Sequence, residues 1–172
     1  MEFQICIDID APAAVVWSVM SDVERWPEWT SSVRHVRRWQ RERPFTVGSR
    51  ALVRQPGLPP AIWTVTSLTP GREVIWKAGL PGWWSVGGHR VDPIGDVPAS
   101  DSVSSLANGG QTGGANSGQE LDTRRSHAVL TLAFEGLFGR AFAPRLRGLV
   151  EDYVTREAHG LKRQSEALAR RP

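Results

Sequence analysis

Residues 61–92, AIWTVTSLTPGREVIWKAGLPGWWSVGGHRVD, decide the fold. β-Branched and aromatic residues recur here in short runs, broken by Pro70-Gly71 and Pro81-Gly82. Runs of this kind bounded by turn residues are strands. The breaks are too short for a crossover helix, so successive strands must pair antiparallel. We read strands over 61–69, 72–79 and 83–92. A period of two then puts Trp63 and Val65, Val74 and Trp76, and Trp83, Ser85, Gly87, His89 and Val91 on one side of the sheet.

The pattern extends in both directions. Upstream, 31–41 and 49–55 are strand-like, with Pro44, Gly48 and Pro56-Gly57 at the turns. Residues 2–10 alternate Phe3, Ile5, Ile7 and Ile9 against polar residues and make a first half-buried strand. Asp10 is then read as a helix cap, with Pro12 in the first turn and Val15, Val16, Val19 and Met20 on the apolar side. A second short helix is expected over Asp22–Trp29, limited by Pro27.

Downstream, Leu130, Leu132 and Phe134 share a face within His127–Phe134, which is expected to pair with 83–92. The intervening 93–126 is dominated by Gly, Ser, Asn, Asp and Gln and holds no aromatic residue. It cannot bury enough apolar surface to offset its ordering entropy, so we read a disordered polar insertion within one domain spanning 1–172.

The C-terminal part carries Phe142, Leu146, Leu149, Val150, Tyr153, Val154, Leu161 and Leu168 at spacings of three, four and seven. That is the apolar stripe of a long amphipathic helix, with Arg and Glu on the other face. Pro144 belongs near its first turn or kinks its start, and Gly160 weakens its middle by roughly 1 kcal/mol relative to alanine. A helix and a sheet that each have one apolar face bury each other, which makes the fold class α+β.

Composition narrows the function. No apolar run approaches the ~20 residues that span a bilayer, and the acidic start MEFQICIDID is unlike a signal peptide. A cytoplasmic protein with no integral membrane association is expected. Cys6 is the single cysteine and falls on the solvent side of its strand, which leaves no disulfide and no cysteine cluster. Arg34, Arg37, Arg38, Arg41, Arg43, Arg50 and Arg54 crowd one region, opposed only by Glu42. With no recognition helix, RNP-type motif or zinc motif beside them, they are read as a solvated outer face and not as a nucleic-acid site. Peripheral membrane contact stays open. A solid core of this size would struggle to pack eight tryptophans, which the walls or entrance of a cavity accommodate more easily, unless some of them cap the core.

The order strand, two short helices, six strands and long terminal helix resembles the START-like superfamily of helix-grip proteins, also called Bet v 1-like or SRPBCC. Within it the chain is similar to the bacterial polyketide cyclase/dehydrase and lipid transport group. IDAPAAVVWSVMSDVERWPEW (9–29), VGSR (47–50), PAIWTVTSLTPGREVIW (60–76), GGHRVDP (87–93), LTLAFEGLFG (130–139) and GLKRQSE (160–166) carry the likeness. It implies a helix-grip fold, a curved antiparallel sheet of about seven strands around the long helix. It also implies a cavity between them of the kind used for lipids, polyketides, hormones or isoprenoids. The 93–126 insertion departs from the usual tight turn.

The expected pocket wall is Trp63, Val65, Val74, Trp76, Trp83, His89, Val91, Leu130, Leu132, Phe134, Leu149 and Tyr153, with Val154 also facing the sheet: apolar, aromatic, with a few polar tips. His89 and Tyr153 are the candidates for proton transfer, although a histidine there is more often a hydrogen-bonded wall residue and a tyrosine on a packed helix face more often core. His35 is a weaker candidate, and Arg54 would meet an anionic group if its strand faces inward. No HExxH, paired Cys/His set, G-x-S-x-G elbow or P-loop is present. No cofactor or metal is expected, and paired carboxylates are not visible. Three readings follow: carriage of an apolar ligand, which leads; a cyclase or aromatase acting through His89 and Tyr153; and an interaction module without a small ligand. Oligomeric state leaves no mark in the sequence.

Overall fold

The computed structural model describes residues 2–80, 82–94 and 124–171, and for 138–143 the backbone alone. Seven strands form one antiparallel, curved sheet: β1 (Glu2–Ile9), β2 (His35–Arg38), β3 (Arg50–Arg54), β4 (Ala61–Thr69), β5 (Glu73–Leu80), β6 (Trp83–Pro93) and β7 (Ser126–Glu135). Their order is β1-β7-β6-β5-β4-β3-β2. Between β1 and β2 come α1 (Ala13–Ser21), a 3-10 turn (Val23–Arg25) and α2 (Trp26–Trp29); α3 (Leu137–Ala169) ends the chain. This is the helix-grip architecture.

The long β6–β7 ladder runs from Trp84 opposite Glu135 to Pro93 opposite Ser126. The two ends of the expected insertion are thus strand residues, and Ile94 N–H still donates to the Arg125 carbonyl. The remainder, 95–123, lies outside the described residues. In β4 the register shifts between Val65 and Ser67. This bulge lets Val65 and Leu68, odd and even, both pack with the core.

Three local expectations are corrected. Asp10 does not cap α1: Pro12 occupies the cap position and no side chain bonds there. The Asp10 carboxylate instead accepts from Arg125 Nε at 2.9 Å, and its backbone N–H donates to Glu166 Oε1 at 3.2 Å. Pro27 does not limit the second helix but opens it, in the first turn where a missing N–H costs nothing. Residues 22–29 therefore split into the 3-10 turn and α2. The strand expected over 31–41 is only His35–Arg38, because Gln40 takes a left-handed conformation (φ 58°) and turns the chain.

Helix α3 has 33 residues and begins before Pro144, which lies inside it. Its C-terminal half is packed solid: Ala158, Leu161 and Ser165 are buried among Ile9, Val16, Met20 and Trp29. Gly160 is where the helix crosses α2. A Cβ there would lie 2.3 Å from the Trp29 carbonyl oxygen and 3.0 Å from the indole. The glycine that weakens the helix is thus what allows the crossing. Gly160→Ala should lower Tm. Overpacking at such a site costs about 1–3 kcal/mol, more than the roughly 1 kcal/mol of helix propensity it would return. A thermal melt showing a raised Tm would contradict this packing.

Candidate functional site

Toward its N-terminal half α3 leaves the sheet surface uncovered, and a cavity of about 290 Å³ opens between them. That is near the lower end of pockets that hold drug-sized ligands, about 300 Å³ upward. The sheet contributes Trp63 from β4, Trp76 and Ala78 from β5, Trp83, Ser85, Gly87 and His89 from β6, and Leu130, Leu132 and Phe134 from β7. α3 contributes Leu146, Leu149, Val150, Tyr153, Val154 and Glu157, and the β3–β4 loop adds Gln55, Leu58 and Pro59. Gly87 has a direct role in the wall: a Cβ there would stand 3.3 Å from the Trp63 ring, which lies across it.

Of the residues expected at the pocket, Trp63, Trp76, Trp83, His89, Leu130, Leu132, Phe134, Leu149 and Tyr153 stand on this wall. Val65, Val74 and Val91 share its side of the sheet but are fully enclosed in the core, where α1, α2 and the C-terminal half of α3 fill the space. His35 and Arg54 are exposed and directly opposite one another on β2 and β3, facing away from the cavity. Their neighbours Val36 and Val53 are the inward residues, so alternation turns both candidates out to solvent.

The polar part of the wall is small. His89 Nε2 and Glu157 Oε1 are 2.5 Å apart, and the two side chains are only 9% and 12% exposed. A carboxylate can only accept, so Nε2 is the ring nitrogen that donates to it, and Nδ1 is left facing away from the pair. Nδ1 is buried and has no hydrogen-bond partner among the described residues. The imidazole packs against Trp26, ring centroids 5.1 Å apart. Trp26 is itself fixed by its indole N–H donating to the Met20 carbonyl at 3.0 Å and by an edge contact with Trp76. Near the β3–β4 loop, the Tyr153 hydroxyl lies 3.9 Å from where a Gly57 Cβ would sit. It too is buried without a partner.

Sequence reasoning missed Glu157 and Trp26. Glu157 was legible: it follows Val150, Tyr153 and Val154 by seven, four and three, in the middle of the apolar stripe. Trp26 carried no comparable signal, because its direction depends on how the short α2 is seated. Among the described residues no group of three or more His, Cys, Asp or Glu side chains is placed to hold a metal. No described helix is long and apolar enough to cross a membrane.

A curved sheet gripping a long C-terminal helix around an apolar cavity is the helix-grip fold. The family model described as polyketide cyclase / dehydrase and lipid transport matches residues 2–166, and the chain belongs to that family. No curated protein matches it in sequence. Among solved structures, the Zhui aromatase/cyclase from a Streptomyces species is similar with a TM-score of 0.64 at 18% identity, over 99% of this chain and 96% of that one. A START superfamily protein from Mycobacterium smegmatis gives 0.59 at 14%, over 95% and 97%. The di-domain ARO/CYC BexL gives 0.63 at 17%, over 99% of this chain and 48% of that one. At these identities the likeness is one of fold.

Burial pushes the Tyr153 phenol above its usual value near 10.0. Tyr153 is the one tyrosine of the chain, so ultraviolet titration reads it directly. It should ionise above pH 10, and only after the unfolded-state phenol would. Its stabilising contribution is therefore complete below pH 10 and lost as pH rises through the folded value. Tyr153→Phe should remove this titration and leave Tm unchanged or higher, since the hydroxyl it deletes has no partner. A midpoint at or below 10 would show that the phenol is solvated.

Proposed function

We propose that the protein binds an apolar small molecule of lipid, polyketide or isoprenoid type within the cavity between the sheet and α3. The observation that carries this reading is the wall itself. Trp26, Trp63, Trp76, Trp83, Leu130, Leu132 and Phe134 surround a space that their own packing does not fill. The family matched by the chain is described by cyclase, dehydrase and lipid-transport functions, and the similarity to an aromatase/cyclase and a START superfamily protein is in keeping with it. Tyr153 Oη and His89 Nδ1 have partners to gain from a ligand bearing an oxygen group.

Binding is tested by native mass spectrometry of the full chain with aromatic polyketides, fatty acids and isoprenoid quinones, followed by tryptophan fluorescence. A one-to-one adduct and quenching are expected. Leu132→Trp should abolish both while Tm is kept, because the larger ring occupies the ligand's space and not the solid core. If no compound binds, or if Leu132→Trp binds as well as the unaltered protein, the cavity is not the site.

A second reading is favoured by one observation, the His89–Glu157 pair. A buried pair of this kind costs desolvation that apolar packing alone would avoid, and carriage does not require it. In a cyclase-type reaction Glu157 would hold His89 in the tautomer whose Nδ1 takes a proton from a carbon beside a substrate carbonyl. Tyr153 would donate a hydrogen bond to that carbonyl oxygen. The enolate carbon would bond to a second carbonyl carbon of the same chain, whose C–O π pair passes to its oxygen, and the resulting alkoxide would take the proton back from the His89 ring. The cavity would supply the folded, near-attack shape. Here His89→Ala and Glu157→Gln should retain the adduct yet slow product formation by about 10²–10⁴-fold. Unchanged turnover in both variants would leave carriage as the sole reading.

A further inference from the structure

The opposite face of the same strands has its own chemistry. On β2, β3 and β4 alternate residues point away from α3, with Arg37 opposite Leu52 and Leu52 opposite Ile62. Arg50 and Arg54 flank Leu52 along β3. Trp39 continues the ladder, its N–H donating to the Arg50 carbonyl, and the Arg50 guanidinium carbon lies 6.0 Å from the Trp39 ring centroid. Trp39 is 46% exposed and Ile62 45%. Arg37, Arg50 and Arg54 on this face, and Arg43 in the loop after β2, are exposed and make no side-chain ion pair among the described residues. The acids nearby are few: Glu24 is taken by Arg41 Nε at 2.8 Å and by the Arg38 N–H at 3.1 Å, which leaves Glu42. A shallow depression of about 430 Å³ is lined by Arg37, Arg38, Trp39, Gln40, Arg41, Glu42 and Leu52, and Arg38 Nε is buried beside it without a partner.

Unpaired guanidinium groups interleaved with one indole and aliphatic tips match an anionic lipid–water interface. An indole rests at headgroup depth, aliphatic side chains reach the acyl boundary, and arginines meet phosphates. A single-stranded nucleic acid would instead ask for further aromatic platforms on the neighbouring strands. Here those positions hold Leu52 and Ile62. We propose that the outer face of β2–β4 docks on an anionic phospholipid surface, with Trp39 and Ile62 entering the headgroup layer and the surrounding arginines on lipid phosphates. The contact is separate from the cavity and does not depend on the function proposed for it.

The test is sedimentation of the full chain with phosphatidylcholine vesicles, with and without phosphatidylserine, at low and raised salt. Binding is expected only with phosphatidylserine present, weakening as salt rises. Arg37→Gln with Arg50→Gln should weaken it roughly 25-fold, about fivefold per arginine, and Trp39→Ser should also weaken it and remove a blue shift in emission. Unchanged Tm and cavity-ligand binding in these variants would show that the fold is intact. Failure to sediment with anionic vesicles overturns the proposal, as does equal sedimentation of the variants. Arginine-dependent binding to single-stranded RNA without vesicle binding would assign the face to nucleic acid and overturn it equally.

Discussion

The packing of α3 across the concave face of the sheet is the interaction on which the other features depend. Neither element can bury its apolar face alone, and the helix does not touch the sheet evenly. Around Ala158, Leu161 and Ser165 the side chains are small or fully enclosed, and Gly160 allows α2 to come within backbone contact. Around Leu146 to Glu157 the same helix stands off and lines a cavity. One half of α3 therefore supplies the stability that allows the other half to be left underpacked. A void in a protein interior forfeits dispersion contacts along its lining.

The polar groups in that void sharpen the contrast. An apolar cavity strengthens any electrostatic interaction inside it and penalises any group left unpaired. His89 and Glu157 satisfy one another on one side only, while Nδ1 of His89 and the hydroxyl of Tyr153 remain unsatisfied. These atoms sit on two elements, β6 and α3, that the fold brings together at long range. Their cost is local, and neither atom has a partner among the described residues. Trp26 adds rigidity: held at its indole N–H by the Met20 carbonyl, it limits how far the imidazole can turn.

Much of this was legible from residues alone. Strand period and Pro-Gly breaks located β4, β5 and β6 within a residue or two, and the three-four-seven stripe found α3. Parity assigned the cavity side of β6 and β7 because those strands are long and unbulged. It could not tell cavity wall from solid core, since Val65, Val74 and Val91 obey the same alternation as Trp63, Trp76 and His89; that difference lies in where α1 and α2 rest. For His35 and Arg54 the strands were too short to set a phase. Glu157 was passed over for a chemical reason: a carboxylate on an amphipathic helix is usually solvated, and only its histidine partner, sixty-eight residues away in sequence, makes its inward position tolerable.

The two faces of β2–β4 follow from a constraint that is stronger than any single contact. Successive side chains on a strand leave in opposite directions, so Val36, Ala51 and Val53 are committed to the core while Arg37, Arg50, Leu52 and Arg54 are committed outward. The outward set is thereby free to vary without disturbing the inward one. Edge strands commonly carry charge to prevent unwanted pairing, and β2 is an edge, which accounts for some arginine but not for an exposed tryptophan and isoleucine among it. Protection against pairing asks for charge alone. The apolar tips work against that purpose, so the composition of this face as a whole is that of a surface meant to be covered.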